Sequence, residues 1–94
     1  VSGSMATQKK VYVGKGTHYF PKAAVGQFKI EAYDIKVGDK ILVTGPSTGA
    51  QEMLIEEMYV NDVVGDKATK GDDCTLKLPF RIRMSDKLYK IVEA

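Results

Sequence analysis

The sequence is short of several things at once. It has one cysteine, one histidine, three prolines and no tryptophan in 94 residues. A single cysteine forbids an internal disulfide and a cysteine-built zinc site, and fits a reducing compartment. A lone histidine without neighbouring carboxylates offers no general base and no ligand cluster. No apolar run reaches membrane-spanning length, and no signal-peptide pattern opens the chain. The formal net charge of +2 is too small to imply nucleic acid or membrane by itself. What is present is a globular composition, 44% hydrophobic and 28% charged. It suits one domain with one modest core and little room for a deep cleft.

Val1-Ser2-Gly3-Ser4-Met5 reads as a cloning remnant, and residues 1–10 as remnant plus a polar lead-in. The patterned domain is expected over residues 11–93. Its abrupt start suggests a domain excised from something longer. Alternation dominates and helical spacing is scarce. Strands are expected at Lys10–Phe20, Val25–Tyr33, Lys40–Thr44, Cys74–Leu78 and Leu88–Val92. Gln51–Val60 fits a strand or two helical turns, with Gly49 before it and Asn61-Asp62 after it. Six short strands separated by Gly, Pro and Asp turns predict an all-β fold, a small six-stranded β-barrel, closed or partly open. Closure is favoured because it leaves no long edge.

An internal echo supports that count. Val37-Gly38-Asp39-Lys40-Ile41, Lys70-Gly71-Asp72-Asp73-Cys74 and Met84-Ser85-Asp86-Lys87-Leu88 each place a small residue, then Asp, before an apolar strand. Each reads as a turn that launches a strand, with Asp bonding the backbone two residues on.

The chemistry-bearing residues are few. His18 reads as a surface residue, and Cys74, in phase with Leu76 and Leu78, as an inert core thiol. Glu56 and Glu57 would point to opposite faces of a strand and could not share a proton. Gly45-Pro46-Ser47-Thr48-Gly49 lacks the lysine and following helix of a phosphate loop, and reads as a hairpin connection. Gly14-Lys15-Gly16 lacks a dinucleotide fingerprint, and its glycines predict a bulge or a close backbone approach. Charge is segregated. Residues 51–73 carry seven acidic residues against Lys67 and Lys70, while residues 77–90 carry five basic residues against Asp86. A basic face with Tyr12, Tyr19, Tyr89 or Phe80 beside it would suit RNA, with Arg81, Arg83, Lys87 and Lys90 as phosphate contacts. A solvated surface whose lysines guard strand edges explains the same charges without a ligand.

The order of the pieces is itself distinctive. Val37-Gly38-Asp39, Ile41-Leu42-Val43-Thr44-Gly45-Pro46, Ile55-Glu56-Glu57-Met58, Ala68-Thr69-Lys70-Gly71-Asp72, Leu76-Lys77-Leu78 and Asp86-Lys87-Leu88-Tyr89-Lys90 follow one another over nearly the whole chain. The series resembles the C-terminal domain of the collagenase-like peptidases of family U-32. More loosely, it resembles the second-domain β-barrel of translation factors such as elongation factor Tu. The resemblance implies a barrel of the translation-factor domain 2 type. It implies an upstream catalytic domain in the same parent chain, bearing functional cysteines that Cys74 does not match. Family members are associated with cleavage of collagen-type peptides and, in bacterial relatives, with hydroxylation of tRNA or ribosomal RNA. The expectation is a cytoplasmic, non-catalytic accessory domain with no cofactor and no membrane partner. It would brace the catalytic domain or present a substrate, with tRNA or ribosomal RNA as the nucleic-acid partner. The alternative is a stand-alone RNA-binding or protein-interaction barrel. A self-contained hydrolase has the least support, because no nucleophile–base pair is in view.

Overall fold

The computed structural model describes residues 8–93, and every described element is a β-strand. β1 (Gln8–Phe20), β2 (Val25–Ile30), β3 (Asp34–Lys36), β4 (Lys40–Gly45) and β5 (Gly49–Leu54) form the first half. β6 (Met58–Val60), β7 (Val63–Gly65), β8 (Lys67–Thr69), β9 (Asp73–Lys77) and β10 (Lys87–Glu93) complete it. The all-β expectation holds, with ten strands rather than six. The four extra are three-residue strands, too short to show alternation. Residues 1–7 of the expected leader lie outside the described residues. Gln8, Lys9 and Lys10 already pair with Glu93, Val92 and Ile91, so β1 begins ahead of Val11.

Eight strands form one antiparallel sheet in the order β5-β4-β10-β1-β2-β9-β6-β7. The pairing ends at β5 and at β7, so hydrogen bonding does not close into a ring among the described residues. The long strand β1 does most of the bending. Its first part pairs with β10 and its second with β2, with register shifts at Tyr12/Gly14 and at Gly16/His18. These are the bulges expected of the two glycines, and a Cβ at Gly14 would collide with the Lys29 carbonyl. The bulges coil the sheet around Val13, Phe28, Ile30, Ile41, Val43, Leu76 and Leu88, all buried on its inner face.

Two pieces cap the core at opposite ends of β2. At the Ile30 end, β3 pairs with β8 and buries Ile35 and Ala68. This ribbon bonds to the main sheet through Gly71 N–H to Ile30 O (2.8 Å) and Ile30 N–H to Asp72 O (3.0 Å). At the Gly26 end, Leu78 and Ile82 seat against Gly16 and Gly26, whose lack of side chains makes the space.

The three echoed turns share one geometry, and it differs from the expected one. Asp39, Asp72 and Asp86 each donate their backbone N–H to the carbonyl three residues back (3.0, 2.9 and 3.1 Å). Each side chain also accepts from the amide of that same residue: Lys36 (3.0 Å), Thr69 (2.9 Å) and Arg83 (3.0 Å). The carboxylate thus points back along the chain, not two residues on. The residue before each Asp has a positive φ: Gly38 (98°), Gly71 (96°) and Ser85 (73°). A type II turn needs that sign at its third position. The next residue in each case opens β4, β9 or β10.

Candidate functional site

Strand register decides which charges meet. On β10, Leu88 is buried, so Lys87 and Tyr89 face outward. Lys87 lies directly opposite Lys15 of β1, and Lys15 directly opposite Lys29 of β2. Three lysines from three strands therefore stand in one lateral row on the outer surface. In the next row Tyr89 faces Tyr12, with rings edge to face at 5.9 Å. Lys10 lies 4.7 Å above the Tyr89 ring. Like charges directly across a sheet are destabilising, so sheet stability does not account for such a row. Its neutralisation is partial: Lys15 meets Glu31 and Lys29 meets Asp73, both at 3.9 Å with exposed partners. Lys87 makes no ion pair among the described residues. Tyr12 donates to Glu31 (2.6 Å), and the neighbouring carboxylate pushes its phenol up to about 12.

Of the four basic residues expected from sequence, Lys87 belongs to this row. Arg81 and Arg83 are exposed on either side of buried Ile82, in the loop leading directly to Lys87. Arg81 sits 5.9 Å from the Tyr19 ring centre. Lys90 is elsewhere. It shares the inward face with Leu88 and reaches the β3 ribbon. There it donates to the Asp34 carbonyl (3.0 Å) and carboxylate (3.2 Å), with Asp39 at 3.8 Å. Lys90, first among the causes, holds the Asp34 carboxyl below the usual carboxylate range. The row itself was not legible in sequence: Lys15 and Lys29 join Lys87 only through pairing of distant strands.

Asp86 anchors this region and is 2% exposed. Its carboxylate accepts from the Thr48 hydroxyl and the Arg83 amide, and its carbonyl accepts from Gly16 N–H at 2.7 Å. One residue thereby ties the 79–86 loop to the β4–β5 hairpin and to the bulged part of β1. A Cβ at Gly45 would strike this carboxylate, so glycine there makes the burial possible.

The histidine and the cysteine stand apart from one another among the described residues. His18 is exposed and packs on Phe20, with ring centres 4.4 Å apart. Cys74 is buried, and desolvation, with a smaller push from Asp72, raises its thiol to about 12. Among the described residues no three His, Cys, Asp or Glu side chains gather as metal ligands. Glu56 and Glu57 correct the sequence reading. Gln51–Val60 divides into β5 and β6 with an irregular link, and both carboxylates border the same groove. No described helix is long and apolar enough to cross a membrane.

No family model matches the chain. It is 42% identical over 88 residues to a protein named collagenase from Porphyromonas gingivalis, covering 94% of this chain and 21% of the relative. It is 28% identical over 93 residues to an uncharacterized protease of Methanocaldococcus jannaschii, covering 99% of this chain and 23% of the relative. The chain thus spans less than a quarter of the length of the curated relatives it matches. In fold it is similar to the C-terminal domain of a Geobacillus thermoleovorans protein described as a U32 peptidase. The TM-score is 0.77 at 17% identity, covering 84% of this chain and 90% of that one. The collagenase relatives in sequence, together with the fold shared with a U32 C-terminal domain, support kinship with the C-terminal domain of collagenase-like U32 proteins.

Proposed function

We propose that this domain presents an RNA substrate, tRNA or ribosomal RNA, to a catalytic domain upstream in a longer cytoplasmic U32-type protein. In this reading the coiled sheet is a partly open barrel of the translation-factor second-domain type. The observation that carries it is the Lys87–Lys15–Lys29 row beside the Tyr12–Tyr89 pair. Lysines spaced across a sheet suit phosphates, and the neighbouring tyrosines suit an unstacked base. Arg81 and Arg83 extend the positive surface along the loop. Lys90, held by Asp34 and Asp39, serves by positioning β10 against the ribbon.

The test is tRNA binding measured against salt. Affinity should fall steeply with salt, and Lys15→Ala, Lys87→Ala or Arg83→Ala should each lower the slope by about one. Lys90→Met should leave the slope unchanged. Undetectable or salt-insensitive binding would reject the proposal.

A second reading, bracing of the catalytic domain, has its own observation. Val64, 74% exposed on edge strand β7, lies opposite exposed Tyr59. Apolar side chains grouped on a free edge favour cover by another surface. Linked to its upstream region, the domain should melt at a higher temperature than alone, and Val64→Lys should abolish the gain. An unchanged melting temperature counts against bracing.

A further inference from the structure

β5 uses only one side of its backbone. It pairs with β4 through six register positions without a shift, and no described strand lies on its other side. Sheets usually guard such an edge with lysine, proline, a bulge or a covering segment. Gly49–Leu54 contains neither lysine nor proline, and Leu54 is 59% exposed. The edge remains open to pairing.

A groove of about 510 Å³ adjoins it. Met53 and Leu54 form one wall, and Leu78 and Pro79 another. No β4 residue lines the groove, so it opens on the unpaired side of β5. Glu56, Glu57 and Lys77 complete the lining, two carboxylates to one ammonium. Both glutamates are exposed and form no ion pair among the described residues.

We propose that the β5 edge and this groove capture an extended peptide, added to the sheet as a further strand. The peptide carries an apolar and a basic side chain two residues apart. Backbone hydrogen bonds to an edge give affinity, and pockets for alternate side chains give specificity. In an extended strand, residues two apart share a face. One side chain then fills the apolar groove while the next on that face meets Glu56 and Glu57. A second copy of this chain is a poor occupant. Six paired residues a side fall well short of the roughly 1,200 Å² that stable interfaces bury. This proposal stands apart from the RNA reading, which uses β10, β1 and β2.

The probe is an end-blocked, fluorescent peptide of repeating Leu-Thr-Lys-Thr, followed by anisotropy. It should bind the folded domain. Binding should weaken about tenfold or more when alternate peptide amides are N-methylated, when glutamate replaces lysine in the peptide, or in the Glu56→Lys/Glu57→Lys variant. The glutamate peptide should regain affinity for that variant, which separates lost recognition from lost folding. Lys15→Ala and Lys87→Ala should leave peptide binding unchanged. Absence of binding, indifference to N-methylation, or equal affinity for both peptides would overturn the proposal. So would displacement by tRNA, or concentration-dependent dimers that exclude the peptide.

Discussion

One sheet carries two regions of opposite charge, and the two proposals give them different ways to recognise a partner. In the centre, β10, β1 and β2 have neighbours on both sides, and their backbone groups are consumed by the ladder. Only side chains are left to act there, and the row they present is Lys87, Lys15 and Lys29. At the edge, β5 retains unpaired backbone groups, and the charged side chains of the groove beside it are Glu56 and Glu57 with Lys77. The centre offers point charges to a polyanion. The edge offers a template to another chain, with carboxylates that select its side chains. The lesson is that position in the strand order, as much as charge, decides what kind of partner a surface can take.

Asp86 holds both regions in place, so its loss should blur the comparison most. The 79–86 loop begins at the groove and ends at Lys87. Asp86→Ala leaves the Arg83 amide and the Thr48 hydroxyl without their acceptor. It should cost about 2–3 kcal/mol in urea unfolding and weaken both RNA and peptide binding. Unchanged stability would mean that the turn holds without its carboxylate.

Lys90 and Lys87, three residues apart on one strand, sharpen the contrast between structural and recognition charges. Lys90→Met should cost about 1 kcal/mol, since its bonds to Asp34 and Asp39 join β10 to the ribbon. Lys87→Ala should change stability by less than about 0.5 kcal/mol and act instead on polyanion binding. Similar stability effects from the two would erase the distinction.

Acid should loosen the ribbon selectively. The folded Asp34 carboxyl lies below its unfolded value, because Lys90 and Lys67 favour the ionised form. Its stabilising effect is therefore present above about pH 4 and is lost as pH falls through the folded value. Acid titration of unfolding should show a smaller loss in Lys90→Met than in the parent protein; equal losses would remove Lys90 as the cause.

The smallest effects lie at high pH. Tyr12 and Cys74 both titrate near 12 in the folded state, above their ordinary values. A raised value means stability that is complete below the unfolded value and declines as pH climbs toward the folded one. Ultraviolet titration should find Tyr12 late, and Glu31→Gln should return it toward 10. A thiol reagent should leave Cys74 untouched until the chain is unfolded; rapid native reaction would contradict its burial.

Much of this was legible along the chain, because it depends on residues close together. Alternation at Phe28, Ile30, Leu76 and Leu78 identifies the inner face, as period two requires. The Gly45–Gly49 connection is the expected hairpin, and Gly14 and Gly16 flank the bulges of β1. The β6–β7 hairpin was missed. Asn61 and Asp62, both at positive φ (52° and 69°), make the turn expected after Val60, but the three-residue strand β7 beyond it is too short to show a pattern. Lys90 carried a signal that was passed over, since two residues after inward Leu88 it must face inward too.

Local pattern was enough for the all-β class, much of the core and the places of the three Asp turns, though not their bonding, because period-two burial and a positive φ before Asp are local requirements. Which charges stand together was settled by strand pairing. Antiparallel register, shifted by the bulges of β1, set Lys15 between Lys87 and Lys29. The packing of the β3 ribbon gave Lys90 to Asp34, and the end of the strand order left β5 open. These outcomes depend on pairing between segments far apart in the chain, and no local pattern encodes such a pairing.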